Sequence, residues 1–323
     1  MIRIMYRDVK GAQQPTEITD IVETLRVSTS IYGSAGRAEL SIIGDGASFA
    51  FGSCLSVFEG DIEVFRGYLF SVSMTDTSRF TATFYDQTRY LRNTDVLVYN
   101  GITASDLFKK VCEAAELKVG VIDKSSYKLP ATVSEGKSYW DMMTEAIDYV
   151  AAYEKKIFII RDVAGELEFR DIENLRTDFT VDDEGISMGF DYTVGIDQDS
   201  FNRVKIGFEG SSAREWGLVQ DIDTVREWGV MQFYQLLRFA LDKTELDTRC
   251  KQQLALKDRP TRELRLTCFG DWRISAGSGV GVSIKSVQAF NGMNHFYVKS
   301  CEHQVSNDLH TMDLTLAIDD FGA

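Results

Sequence analysis

Three histidines, His295, His303 and His310, lie within the last thirty residues of this 323-residue chain, and Cys301 stands two residues before His303. Side chains alternate along an extended strand, so Cys301 and His303 share a face. A tetrahedral zinc site needs more closely set ligands and a fourth partner. We therefore expect no metal here. The run "GSGVGV" (277–282) places glycines at 277, 279 and 281 and leads into a strand. A dinucleotide-binding fingerprint needs the spacing GxGxxG opening a helix, so these read as turn and barrel-corner glycines. The chain has neither GxxxxGK[ST] nor GxSxG. The acidic pairs Asp182–Asp183, Asp319–Asp320 and Glu113/Glu116 fall in polar loops, at a chain end and on a helix's solvent face. Glycoside hydrolysis needs two carboxylates in a cleft, one with a raised pKa. Trp140, Trp216, Trp228 and Trp272 could form a sugar platform, but each has apolar neighbours, which favours core or subunit interface. The expectation is no catalytic residue, no cofactor, no metal and no enzyme.

The chain's bulk is spent on architecture instead. Its length implies two or three domains, and 44% hydrophobic with 11% aromatic residues is ample for packed cores. Five scattered cysteines without a CxxC pair fit reduced thiols in a cytoplasmically made chain. The start, "MIRIMYRDVK", shows no secretory pattern, and no apolar run is long enough for a membrane-spanning helix. A formal charge of −14 opposes nonspecific DNA binding and an anionic membrane partner. It is best accounted for as keeping the surface soluble; a sharper reading is a surface that lets DNA pass without holding it. Composition does not choose.

Residues 1–86 read almost wholly as strands. "RAELSII" (37–43), "IEVFRGYLFSVS" (62–73) and "RFTATFYD" (79–86) carry the pattern, with a turn at Gly60, which suggests a small sandwich or barrel. Residues 101–175 change character. Thr103 with Asp106, and Ser138 with Asp141, form capping boxes for two amphipathic helices. "KKIFIIRDVAGELEFRDI" then reads as a hairpin turning at Ala164–Gly165. From about residue 176 strands return, "SFNRVKIGFEG" (200–210) the clearest. In a helical insertion, Asp223 is expected to cap a turn ending at Gly229. Thr244 with Asp247 is expected to cap a helix burying Leu246, Cys250 and Leu254.

The two β regions share an order of features. "FGSCLSVF" (51–58) parallels "AGSGVGVSI" (276–284); a turn and a long strand follow, "RGYLFSVSM" or "HFYVKSCEHQV"; each ends on an alternating strand. This is a weak internal repeat, in pattern more than identity.

With "YDQTRYLRNTD" (85–95), "WGVMQFY" (228–234) and "HTMDLTL" (310–316) in this order, the chain resembles the baseplate hub proteins of contractile phage tails and phage-tail-like particles, the PBSX-type prophage hubs. The resemblance spans essentially the whole chain. It implies a mainly β fold with two tube-like β-barrel domains and a small α+β domain between them. The domains would be a first barrel at 1–95, the α+β domain at 96–178, and a second barrel at 179–323 with a helical insertion at about 216–259. It also implies a homotrimer of pseudo-sixfold symmetry that adapts a sixfold tail tube above to a threefold spike below, beside other baseplate proteins. DNA would pass through the channel without specific binding, and no membrane insertion is implied. The protein would be made in the bacterial cytoplasm and built into a virion or phage-tail-like particle. Some hubs carry a fused peptidoglycan-cleaving domain, for which no spare segment is seen. Phe49 and Phe51, apolar in a Gly-rich loop, are the candidate subunit contacts. The alternatives are a loop-built hydrolase or a carbohydrate-binding tail protein acting on the cell wall.

Overall fold

The computed structural model describes the chain except at residues 1, 10–13, 32, 45–48, 75–77, 183–184, 186, 198, 210–213, 238–241, 288–289, 308 and 319–323. Asp183, Asp319 and Asp320 therefore lie outside the described residues. The first region holds β1 (Ile2–Arg7), β2 (Thr16–Glu17), β3 (Val22–Ser30), β4 (Arg37–Ile43), β5 (Cys54–Glu59), β6 (Ile62–Met74) and β7 (Arg79–Tyr85). Alternation decides which face is buried. In β4, Ala38, Leu40 and Ile42 are sealed in the core while Arg37, Glu39 and Ser41 face outward. The same core takes Leu25, Val27, Leu55, Val57, Leu69 and Phe84. The β5–β6 turn falls at Gly60, whose φ of +59° suits glycine.

The middle region holds β8 (Thr94–Tyr99), α1 (Ala104–Ala114), β9 (Val119–Ile122), β10 (Thr132–Ser138), α2 (Tyr139–Glu154), β11 (Phe158–Val163) and β12 (Glu166–Asp171). Both expected capping boxes form. Thr103 Oγ1 accepts from the Asp106 N–H at 3.1 Å, and Ser138 Oγ accepts from the Asp141 N–H at 3.1 Å. Leu107, Phe108, Val111 and Cys112 of α1 pack against Met142, Met143, Ala146 and Val150 of α2 and against Phe158, Leu167 and Phe169 of the hairpin. That hairpin turns at Ala164 and Gly165, both at positive φ, and β9 adds to it parallel to β12.

β13 (Arg176–Asp182) and β14 (Ser187–Gly195) lead into a compact unit of residues 192–263. It holds β15 (Arg203–Glu209), β16 (Arg214–Gln220), α3 (Ile222–Trp228), β17 (Gln232–Leu237) and α4 (Lys243–Lys257). Here the structure departs from expectation in three details. β15, read from sequence as a strand before the insertion, is the central strand of the unit's own sheet, ordered β16-β15-β17. Asp221, not Asp223, caps α3 through the N–H groups of Asp223 and Thr224. Asp242 with Glu245, not Thr244 with Asp247, forms the box on α4. Aspartate caps at least as well as threonine, and starting the helix at Lys243 adds turn-forming residues without losing the buried face. Leu246 and Cys250 are buried and Leu254 packs beside them, as expected.

β18 (Thr261–Phe269), β19 (Gly279–Ser283), β20 (Asn294–Ser306) and β21 (Leu309–Ala317) complete the chain. One curled sheet of thirteen strands carries both β regions. In the first, strands run β3-β4-β7-β6-β5-β1; in the second, β14-β18-β21-β20-β19-β13. The two orders match strand for strand. The Gly-Ser pairs found in the sequence occupy equivalent corners, with Gly52 at φ +84° and Gly277 at φ +89°. The Gly52 N–H donates to Leu69 O and the Leu69 N–H to Ser53 O; Gly277, Val298 and Ser278 repeat this pair of bonds at 2.8 and 2.9 Å. The long strands also share a bulge, between Leu69 and Ser71 in β6 and between Val298 and Ser300 in β20. Two pairings differ: β1 runs antiparallel to β5 and also carries β2, whereas β13 runs parallel to β19 and has no further partner among the described strands.

Candidate assembly site

The two β regions meet edge to edge. β3 pairs antiparallel with the second half of β20, from Ser300↔Ser30 to Ser306↔Thr24. Across this joint the outward face is polar and forms a groove of about 1110 Å³. Ser28 Oγ donates to Glu302 Oε2 at 3.1 Å across the joint itself, Thr267 Oγ1 to Asp313 Oδ1 at 2.5 Å, and Arg37 to Glu39 at 3.2 Å. The lining carries Arg37, Arg89, Arg92 and Arg265 against Asp191, Glu302 and Asp313. The acid excess of the chain is thus not concentrated in this groove. Hydroxyls of this face thus hold two of its three carboxylates, Glu302 and Asp313.

A second feature sits where the first β region hands over to the middle domain, in "YDQTRYLRNTD". Tyr85 packs edge-on against Phe70 at 5.4 Å, and Tyr90 against Tyr68 at 6.0 Å. Asp86 caps the 3-10 turn Gln87–Arg92 through Thr88. The Gln87 side chain donates to Gly165 O and to Asp162 Oδ2 (3.3 Å) and accepts from the Lys118 N–H at 3.1 Å. Leu91 is fully buried in the middle domain's core, and Tyr139 donates through its hydroxyl to Asp95. The stretch stitches two regions together. Burial away from water, with Asp162 close by, holds the Asp86 carboxyl well above the usual range. Burial likewise pushes Asp162 up to about 6.

The histidine–cysteine group resolves into packing. His303 Nε2–H donates to Ile274 O at 2.8 Å and its Nδ1 accepts from His310 Nε2 at 3.0 Å, a tautomer assigned from these partners. Cys301 Sγ lies 3.3 Å from His303 Nε2, on the shared face the sequence implied. Trp272 stacks on both rings, at 4.4 Å and 4.6 Å. Burial drives His303 down to about 4 and raises the Cys301 thiol, so both are neutral near pH 7. His295 is exposed, apart from them. Among the described residues no group of three or more His, Cys, Asp or Glu is arranged to hold a metal ion.

Of the other residues singled out, Phe49 is half-buried, packed edge-on against Tyr6 (5.7 Å) and Phe80 (6.3 Å), while Phe51 is 67% exposed. Trp140 packs on the middle core. Trp216 is partly exposed, lying over Gly207 beside Tyr234 and under Lys205 Nζ at 4.6 Å. Trp228 is half-buried, and Glu113 and Glu116 are solvent-facing.

The profile of one protein family matches residues 25–317, which takes in the middle region, the second β region and the first from β3 onward. The chain belongs to the YQBQ-like family. Solved structures share its fold over nearly its full length. The 43 kDa tail protein of prophage MuSo2 from Shewanella oneidensis is 12% identical, with 99% of this chain and 100% of that one covered and a TM-score of 0.71. A tail protein of Neisseria meningitidis MC58 is 16% identical, with coverage of 99% and 97% and a TM-score of 0.73. An Escherichia coli type VI secretion component, c3393, described as structurally similar to the T4 tail proteins gp27 and gp5, is 12% identical. It covers 98% of this chain and 76% of its own, with a TM-score of 0.60. No curated protein sequence matches the chain. This YQBQ-like chain thus has a phage-tail-protein fold, as the sequence resemblance to tail hubs implied. Sequence reasoning located the Gly-Ser corners but missed the β3–β20 joint, because the pairing of residues some 270 positions apart leaves no local signal.

Proposed function

We propose that this protein is the baseplate hub of a contractile phage tail or phage-tail-like particle, a trimeric ring that adapts a sixfold tail tube to a threefold spike. The observation that carries this reading is the repeat of strand order, β3-β4-β7-β6-β5-β1 and β14-β18-β21-β20-β19-β13, within one chain. Three copies of a chain with two alike units present six near-equivalent edges to a sixfold neighbour and three to a threefold one. The repeated corners and bulges make the two units alike in backbone, which is what such a neighbour would read. In this reading the units are the two tube-like barrels, residues 96–178 form the α+β domain between them, and the polar groove lines the channel. Its mixture of four arginines and three carboxylates would give passing DNA no uniform stripe of positive charge. The tube protein above, the spike below and neighbouring baseplate proteins are the partners, and the role is structural, without catalysis. Phe51, exposed beside the first unit, remains a candidate contact; Phe49 would contribute through the packing that holds its loop.

The test is to image the assembled particle and count copies in the hub ring. Three copies, each with both β units in the ring, are expected. Six copies, or three whose second unit lies outside the ring, would overturn the adapter reading.

A further inference from the structure

The sheet of the 192–263 unit is covered on one face and open on the other. Val204, Ile206 and Phe208 of β15 turn into the core that α4 completes with Leu246 and Cys250. Alternation turns the residues between them outward, and strand register lines these up in rows across β16, β15 and β17. One row sets Trp216 beside Gly207, the next Tyr234 beside Lys205, and the third Arg203 between Gln220 and Gln232. Trp216 is 38% exposed and Tyr234 51%.

Gly207 gives this face its shape. Three atoms of the Trp216 ring stand 2.2, 2.5 and 2.8 Å from where a Cβ on Gly207 would lie, so the indole rests on bare backbone. Tyr234 continues the surface, its ring centre 5.6 Å from that of Trp216 and its plane tilted by 36°. Lys205 Nζ stands over the indole at 4.6 Å. At the polar end Arg203 Nε donates to Gln220 Oε1 at 2.8 Å, which holds a guanidinium and an amide side by side. Aromatic rings, cations and planar amides thus share one side of a three-stranded sheet. No carboxylate stands in these three rows, although the chain's formal charge is −14.

We infer that this face binds a sugar chain that carries carboxylates. The apolar faces of sugar rings stack on Trp216 and Tyr234, and their hydroxyls bond to the amides and the guanidinium. A carboxylate pairs with Arg203 or draws Lys205 off the indole. Size and charge choose this occupant. Three strands about 4.8 Å apart and five residues at about 3.3 Å each outline a footprint on the order of 200 Å². A stable protein interface takes about 800 Å² from each partner, whereas a few sugar rings fit the smaller area. Single-stranded nucleic acid also stacks on aromatic sheet faces, but it needs a cationic track along its phosphates. Arg203 and Lys205 alone, on an acidic chain, do not make one. The site lies wholly within the 192–263 unit, so the inference stands or falls independently of the hub reading.

Isothermal titration calorimetry of the full-length chain tests it, with hyaluronan oligosaccharides, in which every second ring carries a carboxylate, as the probe. Neutral chito-oligosaccharides, oligothymidylate and oligoglutamate of equal length are the comparisons. The wild type is expected to bind hyaluronan more tightly than any of the three. W216A is expected to weaken that binding by roughly tenfold and Y234A by less. G207A adds only a methyl group beneath the indole and is expected to weaken binding by displacing the ring. K205A is expected to lower the affinity for hyaluronan and leave that for the neutral sugar unchanged. L256A, 53% exposed on the helix that covers the other face, is expected to bind as the wild type does. Circular dichroism checks the fold of each variant, and should W216A lose it, Y234A and K205A carry the same test. Hyaluronan that fails to bind, or that binds the folded face variants as tightly as the wild type, overturns the inference. Oligothymidylate or oligoglutamate bound as tightly as hyaluronan overturns it too, and would reassign the face to nucleic acid or to an acidic peptide.

Discussion

The most heavily perturbed side chains here stabilise a junction or fill a core. Burial raises the Asp86 and Asp162 carboxyls above the usual carboxylate range, and it holds the His303 imidazole neutral near pH 7. Their effects on stability have opposite sign. Asp162 titrates near 3.8 when unfolded and about 6 when folded, so its contribution is fully present below pH 3.8 and is lost as pH rises to about 6. His303 falls from 6.5 to about 4, so its contribution is present above pH 6.5 and is lost as pH falls towards 4. Each window is worth up to about 3 kcal/mol at roughly 1.4 kcal/mol per unit, and the two oppose each other. Asp162→Asn removes one of them. Relative to wild type, that variant is expected to gain up to about 3 kcal/mol between pH 4 and pH 7, and its own stability is expected to fall on acidification. Urea unfolding at several pH values checks this; a pH-independent difference between the two proteins would show that the fold does not raise the Asp162 carboxyl. Sequence placed Cys301 and His303 on one strand face. It gave no sign of Trp272 stacking over both histidines, since that contact joins a loop to two strands.

At the scale of elements, helix boundaries are set by which side chain reaches an unsatisfied N–H first. Thr103→Ala removes the bond to the Asp106 N–H and is expected to cost about 1 kcal/mol. On α4 the structure makes a discriminating prediction. Asp242 accepts from the Glu245 N–H at 2.8 Å, so Asp242→Ala is expected to cost about 1 kcal/mol. Thr244→Ala, an exposed change inside the first turn, is expected to stay within about 0.5 kcal/mol. Denaturant midpoints of the three variants rank them, and equal losses at 242 and 244 would contradict the assigned cap. The middle domain was legible because its signals are local: capping boxes, apolar faces of period 3.6 and a turn at Ala164–Gly165. β15 was misplaced because "SFNRVKIGFEG" alternates as well as any barrel strand, and alternation does not say which sheet a strand joins.

For the molecule as a whole, residues 192–263 behave as an excursion between two neighbouring strands. The unit has its own core of Val204, Ile206, Phe208, Leu237, Leu246 and Cys250. Its ends lie together, since Thr261 Oγ1 donates to Gly195 O at 3.0 Å. Replacing residues 196–260 by an Asn-Gly turn should therefore join β14 to β18 as a hairpin. The shortened chain is expected to unfold cooperatively, with a denaturant slope lower by about a fifth, in proportion to the surface removed. Loss of cooperative unfolding would show that the unit is required to hold the large sheet.

What the sequence determined by itself was what short range controls. Alternation fixed the buried faces of strands such as β4, capping residues fixed the starts of α1 and α2, and the Gly-Ser pairs marked two corners that only glycine turns at positive φ. Tertiary structure alone decided the β3–β20 joint and the matching strand orders. Strand partners are chosen by backbone hydrogen bonds and by burial summed over a whole sheet, and those bonds are the same for every residue type. A sequence therefore states which residues turn inward, while the choice of which edge meets which edge is made only when the chain closes on itself.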